Sequence, residues 1–151
     1  MKNKYYLHVK TIPLFFVSLF LMMGCSSAQL VPLETMTVKY YASTRGGMFN
    51  VVVENKKMMV QKDRNGKPFE VSLSSKDLKD LAVLFQTIDL EKISTMKAPT
   101  QMSHYDGAMA AYFEVIKDGK TYKSAGFDHG HPPAEVKIFI DKLIEIAKNE
   151  K

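Results

Sequence analysis

The stretch that decides the fold runs from Phe49 to Leu73 and reads FNVVVENKKMMVQKDRNGKPFEVSL. Apolar and polar residues alternate in three short segments of it, which is the pattern of strands with one buried face. Asn55-Lys56 and Asn65-Gly66 separate these segments, and two-residue turns of this kind join antiparallel strands. The stretch therefore predicts a three-stranded meander.

The two turns also predict the register of the meander. The first turn sets Val53 opposite Met58, and the second sets Val60 opposite Val71. Because side chains alternate between the faces of a strand, this register keeps all the apolar residues together. The predicted buried face comprises Phe49, Val51, Val53, Met58, Val60, Val71 and Leu73.

The segments on either side of the meander extend the prediction. A strand over 36–43, with Val38 and Tyr40 inward, precedes a tight corner at Gly46-Gly47 where we expect positive φ. After the meander, Ser74 precedes a run with apolar residues at helical spacing, and Asp77 occupies the third helical position. This pattern predicts an N-capped amphipathic helix.

The second half of the chain follows the same plan. Segments 108–117 and 120–127 flank Asp118-Gly119, which predicts a second hairpin with Glu114 opposite Lys123. A second amphipathic helix is predicted to open at Pro133. The fold class is therefore α+β, with an antiparallel sheet of five or six strands and two helices on one face. It forms a single domain over residues 36–151.

The N-terminal segment explains most of the positive charge of the chain. The full sequence has 151 residues with 21 basic and 16 acidic side chains, a net charge of +5. Lys2, Lys4 and Lys10 precede an apolar run of 12 residues from Ile12 to Met23. As a helix this run would rise roughly 18 Å, well short of the ~30 Å hydrocarbon core of a bilayer. Residues 1–24 are therefore predicted to be a signal peptide.

The single cysteine follows this segment directly. Leu21-Met22-Met23-Gly24-Cys25 resembles the lipobox of bacterial lipoproteins, in which the cysteine receives a diacylglycerol. The resemblance implies cleavage before Cys25, lipidation of Cys25, and residues 25–35 as the lipidated cysteine and tether. A plain secretory peptide with Cys25 as a bystander is the alternative. The absence of aspartate after Cys25 favours the periplasmic face of the outer membrane.

Several function classes find no support in the residues. There is no phosphate-binding loop, nucleophile elbow, paired-cysteine zinc motif or metalloprotease helix motif. From Cys25 onward, 18 basic and 16 acidic side chains remain, so the net charge is only +2. Dispersed lysines and so small a charge argue against nucleic-acid binding.

One polar cluster is a candidate metal or catalytic site. His104 and Asp106 lie in the loop before the second hairpin, and Asp128, His129 and His131 lie in the loop after it. Antiparallel pairing makes the ends of these two loops neighbours. Such ligands suit Zn²⁺ with an open fourth position. The competing interpretation is ordinary loop and helix-capping chemistry, with Asp128 accepting hydrogen bonds from loop amides.

The outward face of the second hairpin is a candidate partner surface. Tyr112, Ile116 and Lys123 make it more apolar than a solvated face requires. The same face would equally suit contact with the early meander or with the tether.

The whole pattern resembles small uncharacterised lipoproteins of Gram-negative bacteria, a resemblance that implies no activity. Thr44-Arg45-Gly46-Gly47 and the strand after it are also faintly similar to emfourin-type inhibitors of thermolysin-like proteases. We therefore expect a lipid-anchored envelope binding or accessory protein without catalysis or cofactor, held at the membrane by its lipid and contacting a protein partner. The alternative is a zinc-binding domain or a metal-dependent hydrolase that uses the loop histidines.

Overall fold

The computed structural model describes residues 33–149. The predicted signal peptide, Cys25 and most of the predicted tether lie outside these residues. The strands are β1 (Met36–Ser43), β2 (Met48–Glu54), β3 (Lys57–Gln61), β4 (Phe69–Ser72), β5 (Ala110–Lys117), β6 (Lys120–Lys123) and β7 (Phe127–Asp128). The α-helices are α1 (Ser75–Phe85) and α2 (Ala134–Lys148), and 3-10 helices cover Leu33–Thr35, Leu90–Thr95 and Met102–Tyr105. Within 33–149, no helix combines the length and the apolar character that a bilayer span requires.

All the strands belong to one antiparallel sheet in the order β4-β3-β2-β1-β5-β6, and β7 also pairs with β5. The predicted α+β class is confirmed, with seven strands rather than five or six. β1 lies at the centre, between the meander and the second hairpin. It therefore joins the two halves of the chain into one sheet.

Both α-helices bury their apolar sides on the same face of the sheet. Phe139 of α2 lies between Phe85 of α1 and Phe113 of β5, with ring centroids 5.6 Å apart in each pair. Tyr40 and Val51, on neighbouring central strands, are fully buried on this face. Residues 33–149 thus contain the whole sheet, both helices and one continuous core. We infer that this segment folds without the residues before it.

The register of the meander is only partly as predicted. Val53 faces Met58 as expected, but Val60 faces Phe69 rather than Val71. The second connection is a longer loop because the Asp63 carboxylate accepts hydrogen bonds from the amides of Asn65 and Gly66. A Cβ on Gly66 would clash with that carboxylate. The shift is two residues, so the apolar face is preserved.

Of the predictions for the two glycine-containing turns beside β1 and β5, one is confirmed and the other is wrong. Asp118 and Gly119 adopt positive φ of 52° and 74°, and Glu114 faces Lys123, as the hairpin prediction required. Gly46 and Gly47 are not among the residues with positive φ, so that expectation is wrong. The corner is closed instead by a hydrogen bond from the Thr44 amide to the Gly47 carbonyl, 2.9 Å.

A bulge divides the last predicted strand in two. β5 pairs Glu114 with Lys123 but Ala111 with Phe127, so one extra residue lies between β6 and β7. At this point the Ser124 hydroxyl accepts a hydrogen bond from the Phe113 amide, 3.0 Å. Beyond the bulge, the Phe127 side chain packs in the core. The Asp128 side chain points to the other side of the strand and contacts the loop that precedes β5.

Residues 33–35, just before β1, also contact the rest of the described fold. Leu33 is buried in the core, and Glu34 forms an ion pair with Lys56, 2.9 Å. At α1 the predicted cap is present: the Ser74 hydroxyl accepts from the Asp77 amide, and the Asp77 carboxylate accepts from the Ser74 amide, both at 3.1 Å. This reciprocal pair is a capping box, which fixes where the helix starts.

Candidate functional site

Asp128 anchors the long loop that precedes β5. Its carboxylate is fully buried and accepts three hydrogen bonds: from the Thr100 hydroxyl and the Met102 amide, both 2.6 Å, and from the Ser103 amide, 2.8 Å. Burial raises the pKa of Asp128, but the hydrogen bonds from Ser103, Thr100 and the backbone amides outweigh it and hold that pKa well below its usual range. Asp128 is therefore ionised and its lone pairs are used inside the fold.

His129 is joined to the core through Tyr40. The Tyr40 hydroxyl lies 2.8 Å from His129 Nδ1. We infer that the hydroxyl proton is donated to Nδ1, which leaves the proton of the neutral imidazole on Nε2. Burial and, secondarily, the charge of Lys148 lower the pKa of His129. Burial also raises the pKa of Tyr40 well above its usual value.

The other three predicted ligands have exposed side chains. His104 and Asp106 are exposed on and just after the 3-10 helix at Met102–Tyr105, and Asp106 has φ of 58°. His131 is exposed and forms an isolated bridge with Asp128 through the backbone. Within residues 33–149, no group of three or more His, Cys, Asp or Glu side chains is arranged to hold a metal ion.

The predicted convergence of five ligands is therefore not found. The topology behind it is correct, because Ala110 and Asp128 are paired neighbours. The side chains nevertheless do not converge, because Asp128 bonds to amides of the long loop and His129 contacts Tyr40. This is the loop chemistry that competed with the zinc interpretation.

The face of the sheet opposite the helices is a candidate binding surface. We call it the open face and define it by its central outward side chains, which are half-buried or exposed: Lys39, Tyr41, Val52, Met59, Tyr112, Glu114, Ile116 and Lys123. Strand pairing arranges them in rows, with Tyr41 beside Tyr112 and Val52 beside both Met59 and Lys39. Met59 is 36% exposed. A hollow of about 290 Å³ opens beside Val52 and Met59.

Aromatic contacts order the centre of the open face. The rings of Tyr41 and Tyr112 stack with centroids 5.2 Å apart and 30° between their planes. Lys123 Nζ lies 3.8 Å from the Tyr112 ring centroid, a close cation–π contact. The phenol rings are thus held in one arrangement while remaining accessible.

Lys39 and Glu114 of the open face are paired with each other, whereas Lys123 contacts the Tyr112 ring. Lys39 Nζ lies 3.1 Å from the Glu114 carboxylate, and the Thr37 hydroxyl donates to Glu54, 2.6 Å. At the meander edge Lys57 pairs with Glu70, 3.1 Å. Apart from Lys123, the face therefore presents aromatic and aliphatic groups between paired charges.

The candidate surface predicted from the sequence contains three of the eight side chains of the open face. Tyr112, Ile116 and Lys123 point outward as predicted, but they lie in one sheet with the meander rather than against it. Tyr41 and Val52 were missed, although the alternation along their strands carries the signal: once Tyr40 and Val51 are inward, their neighbours must be outward.

Comparison with known proteins adds no relative: no protein-family model, curated protein or solved structure matches this chain.

Proposed function

We propose that this chain is a membrane-tethered binding domain without catalysis, which contacts a protein of the cell envelope through its open face. The observation that carries the proposal is the stacked Tyr41–Tyr112 pair with Lys123 over it, at the centre of an accessible sheet face. Tyrosine and methionine are enriched where proteins bind one another, because they combine apolar area with a polar end and little entropy cost.

The charges of the open face indicate the chemistry of the partner. Lys39 already pairs with Glu114, and desolvating an intact ion pair costs less than desolvating a lone charge. Lys123 contacts the Tyr112 ring and forms no ion pair within residues 33–149. We therefore infer a partner surface that is aromatic or aliphatic, with at most an acidic group opposite Lys123.

Support for a role without catalysis comes from the loops that contain the histidines. Asp128 uses its oxygens to hold the long loop, and His129 uses Nδ1 to hold Tyr40. Two of the five candidate ligands thus have structural roles within the fold.

The membrane anchor in this proposal is Cys25, carrying a diacylglycerol thioether on the periplasmic face of the outer membrane. Seven residues separate it from Leu33, the first residue that the structure describes. A segment of seven residues spans at most roughly 25 Å, at about 3.3–3.6 Å per residue, so such an anchor would keep the domain next to the membrane.

Fractionation tests the anchor. Expressed in a Gram-negative host, the full chain is expected in the membrane fraction, and Cys25→Ala is expected in the soluble fraction. Ser26→Ala serves as the matched control and is expected to stay with the membrane. A Cys25→Ala chain that remains membrane-bound would contradict the anchoring mechanism.

Position-specific crosslinking tests the open face. A photoreactive amino acid at the position of Ile116 is expected to trap a partner in intact cells, and adding Tyr41→Ala is expected to remove the adduct. The control position is Ile138, which is 70% exposed on α2. Equal adducts from both positions, or an adduct with the mass of two copies of the chain, would contradict binding of a separate protein through the open face.

A further inference from the structure

A cavity lies at the end of the sheet where the β1–β2 corner meets the loop after β7. Met48, Phe49, Met109 and His129 line it together with Lys62 and Lys148, and its volume is about 430 Å³. Small-molecule sites in proteins typically have volumes of about 300–1,000 Å³. At roughly 30 Å³ per non-hydrogen atom, the cavity has room for about a dozen such atoms.

The cavity has an apolar floor. Phe49 is largely buried beneath it, and its ring lies 5.7 Å from the His129 ring, centroid to centroid. Met48 and Met109 add two flexible thioether side chains. Methionine adapts to ligands of different shape, so this floor suits an alkyl or aromatic body.

The polar groups of the cavity are donors. Neither Lys62 nor Lys148 forms an ion pair within the part of the chain that the structure describes, although Lys62 Nζ lies 5.1 Å from the Phe69 ring centroid. The nearest acid in sequence to Lys62 is Asp63, which is occupied by the amides of Asn65 and Gly66. His129 adds its Nε2 proton, because Nδ1 accepts from Tyr40. Two cations and one N–H donor thus surround an apolar floor.

We propose that this cavity binds a small amphipathic carboxylate, with its charge between Lys62 and Lys148 and its apolar body against Met48, Phe49 and Met109. The site is separate from the open face, so this inference does not depend on the proposed function. A chain of eight carbons with its carboxylate has ten non-hydrogen atoms, which matches the available volume.

Calorimetric titration of residues 26–151 with three probes of equal length tests the proposal. Octanoate, octanol and octylammonium share one body and differ in charge. The expected order of affinity is octanoate, then octanol, then octylammonium, with a Kd for octanoate in the millimolar to high micromolar range, about what ten atoms provide. Equal affinity for octanoate and octanol, or no binding of octanoate at 5 mM, would overturn the proposal.

Lysine variants locate the site. Lys62→Gln and Lys148→Gln are each expected to weaken octanoate binding by about two- to fivefold, the scale of a partly exposed ion pair, and to leave octanol binding unchanged. The matched control is Lys137→Gln on α2, since Lys137 already pairs with Asp141, 2.6 Å. If all three variants bind octanoate alike, the cavity is not the site.

Two further measurements test whether His129 contacts the ligand and whether the lysines bind a free carboxylate or a lipid surface. Octanoate is expected to shift the NMR resonance of His129 Nε2 and to leave that of His104 unchanged. Vesicles containing phosphatidylglycerol are expected not to bind residues 26–151. Binding to these vesicles without any octanoate-induced shift would assign the lysines to a lipid surface and refute a free carboxylate as the ligand.

Discussion

The two faces of the sheet differ although the same strands supply both. Tyr40 and Phe113 are fully buried under the helices, whereas their chain neighbours Tyr41 and Tyr112 stack on the open face and remain accessible. The inward side chains must pack in the core, where each contacts many others. The outward side chains do not have to fit a packed core. Substitutions one position apart therefore separate what the fold needs from what the surface does.

The largest expected effect is on the covered face. Phe113→Ala removes a ring that lies against Phe139 and leaves a cavity in the centre of the core. We expect a loss of about 3–5 kcal/mol in the free energy of unfolding, as for other buried aromatic truncations. Urea denaturation of residues 26–151 measures it. A loss below 1 kcal/mol would mean that the helices do not cover this face as described.

The second prediction concerns Asp128, which lies outside the covered face and anchors the long loop before β5. Asp128→Asn replaces one acceptor oxygen by an NH₂ group that faces a backbone donor. We expect a loss of about 2–4 kcal/mol, because hydrogen bonds to a buried charged group are strong and their donors are left unpaired. Urea denaturation at pH 7 measures it, with Asp106→Asn, at an exposed residue of the same loop, as the matched control. Equal results for the two variants would contradict the anchoring role.

The same comparison of regions shows what the sequence predicts and what it does not. Alternation along the strands predicted which side of β1, β2 and β5 is buried, since parity is a local property. The Asp118-Gly119 turn was predicted correctly, but the Asn65-Gly66 turn was not, because the Asp63 carboxylate stabilises a longer loop. A neighbouring side chain that competes for turn amides is a feature that dipeptide preferences do not include.

The predicted ligand cluster failed for a related reason. Strand pairing did bring Asp128 to the right end of the sheet, as its pairing with Ala110 shows. Its orientation depends on the bulge at Ser124 and on amides about 25 residues earlier in the chain. Contacts between distant segments decide which way a polar side chain turns, and no periodicity in a single sequence records them.

The third prediction concerns the titratable group that joins the covered face to the cavity. Burial lowers the pKa of His129, so the folded state favours the neutral ring that accepts from Tyr40. The unfolded state takes up a proton first as the pH falls through about 6.5, so the stability that His129 contributes is present above that pH and is lost below it. Unfolding free energies at pH 7.5 and 5.5 measure the decline.

His129→Gln provides the matched comparison for this pH dependence, since its carbonyl accepts from Tyr40 but does not titrate. The variant is expected to lose less stability than the parent chain between pH 7.5 and 5.5. Both pH values lie above the range in which Asp128 contributes to the pH dependence, because its hydrogen bonds outweigh burial and hold the pKa of that carboxyl well below its usual value of 3.8. An unchanged slope in the variant would place the titrating group elsewhere.

The smallest effect on stability is expected on the open face. A substitution there should impair binding and leave the free energy of unfolding almost unchanged. Tyr112→Ala removes a half-exposed stacking contact and a cation–π contact, which together contribute about 1 kcal/mol or less at such a site. The same change is expected to abolish crosslinking from position 116, because the aromatic pair lies at the centre of the proposed interface. Ile138→Ala, on the outer side of α2, should alter neither property. If Tyr112→Ala instead destabilised the chain as strongly as Phe113→Ala, the stacked tyrosines would be part of the fold, and the open face would lose its distinction from the covered one.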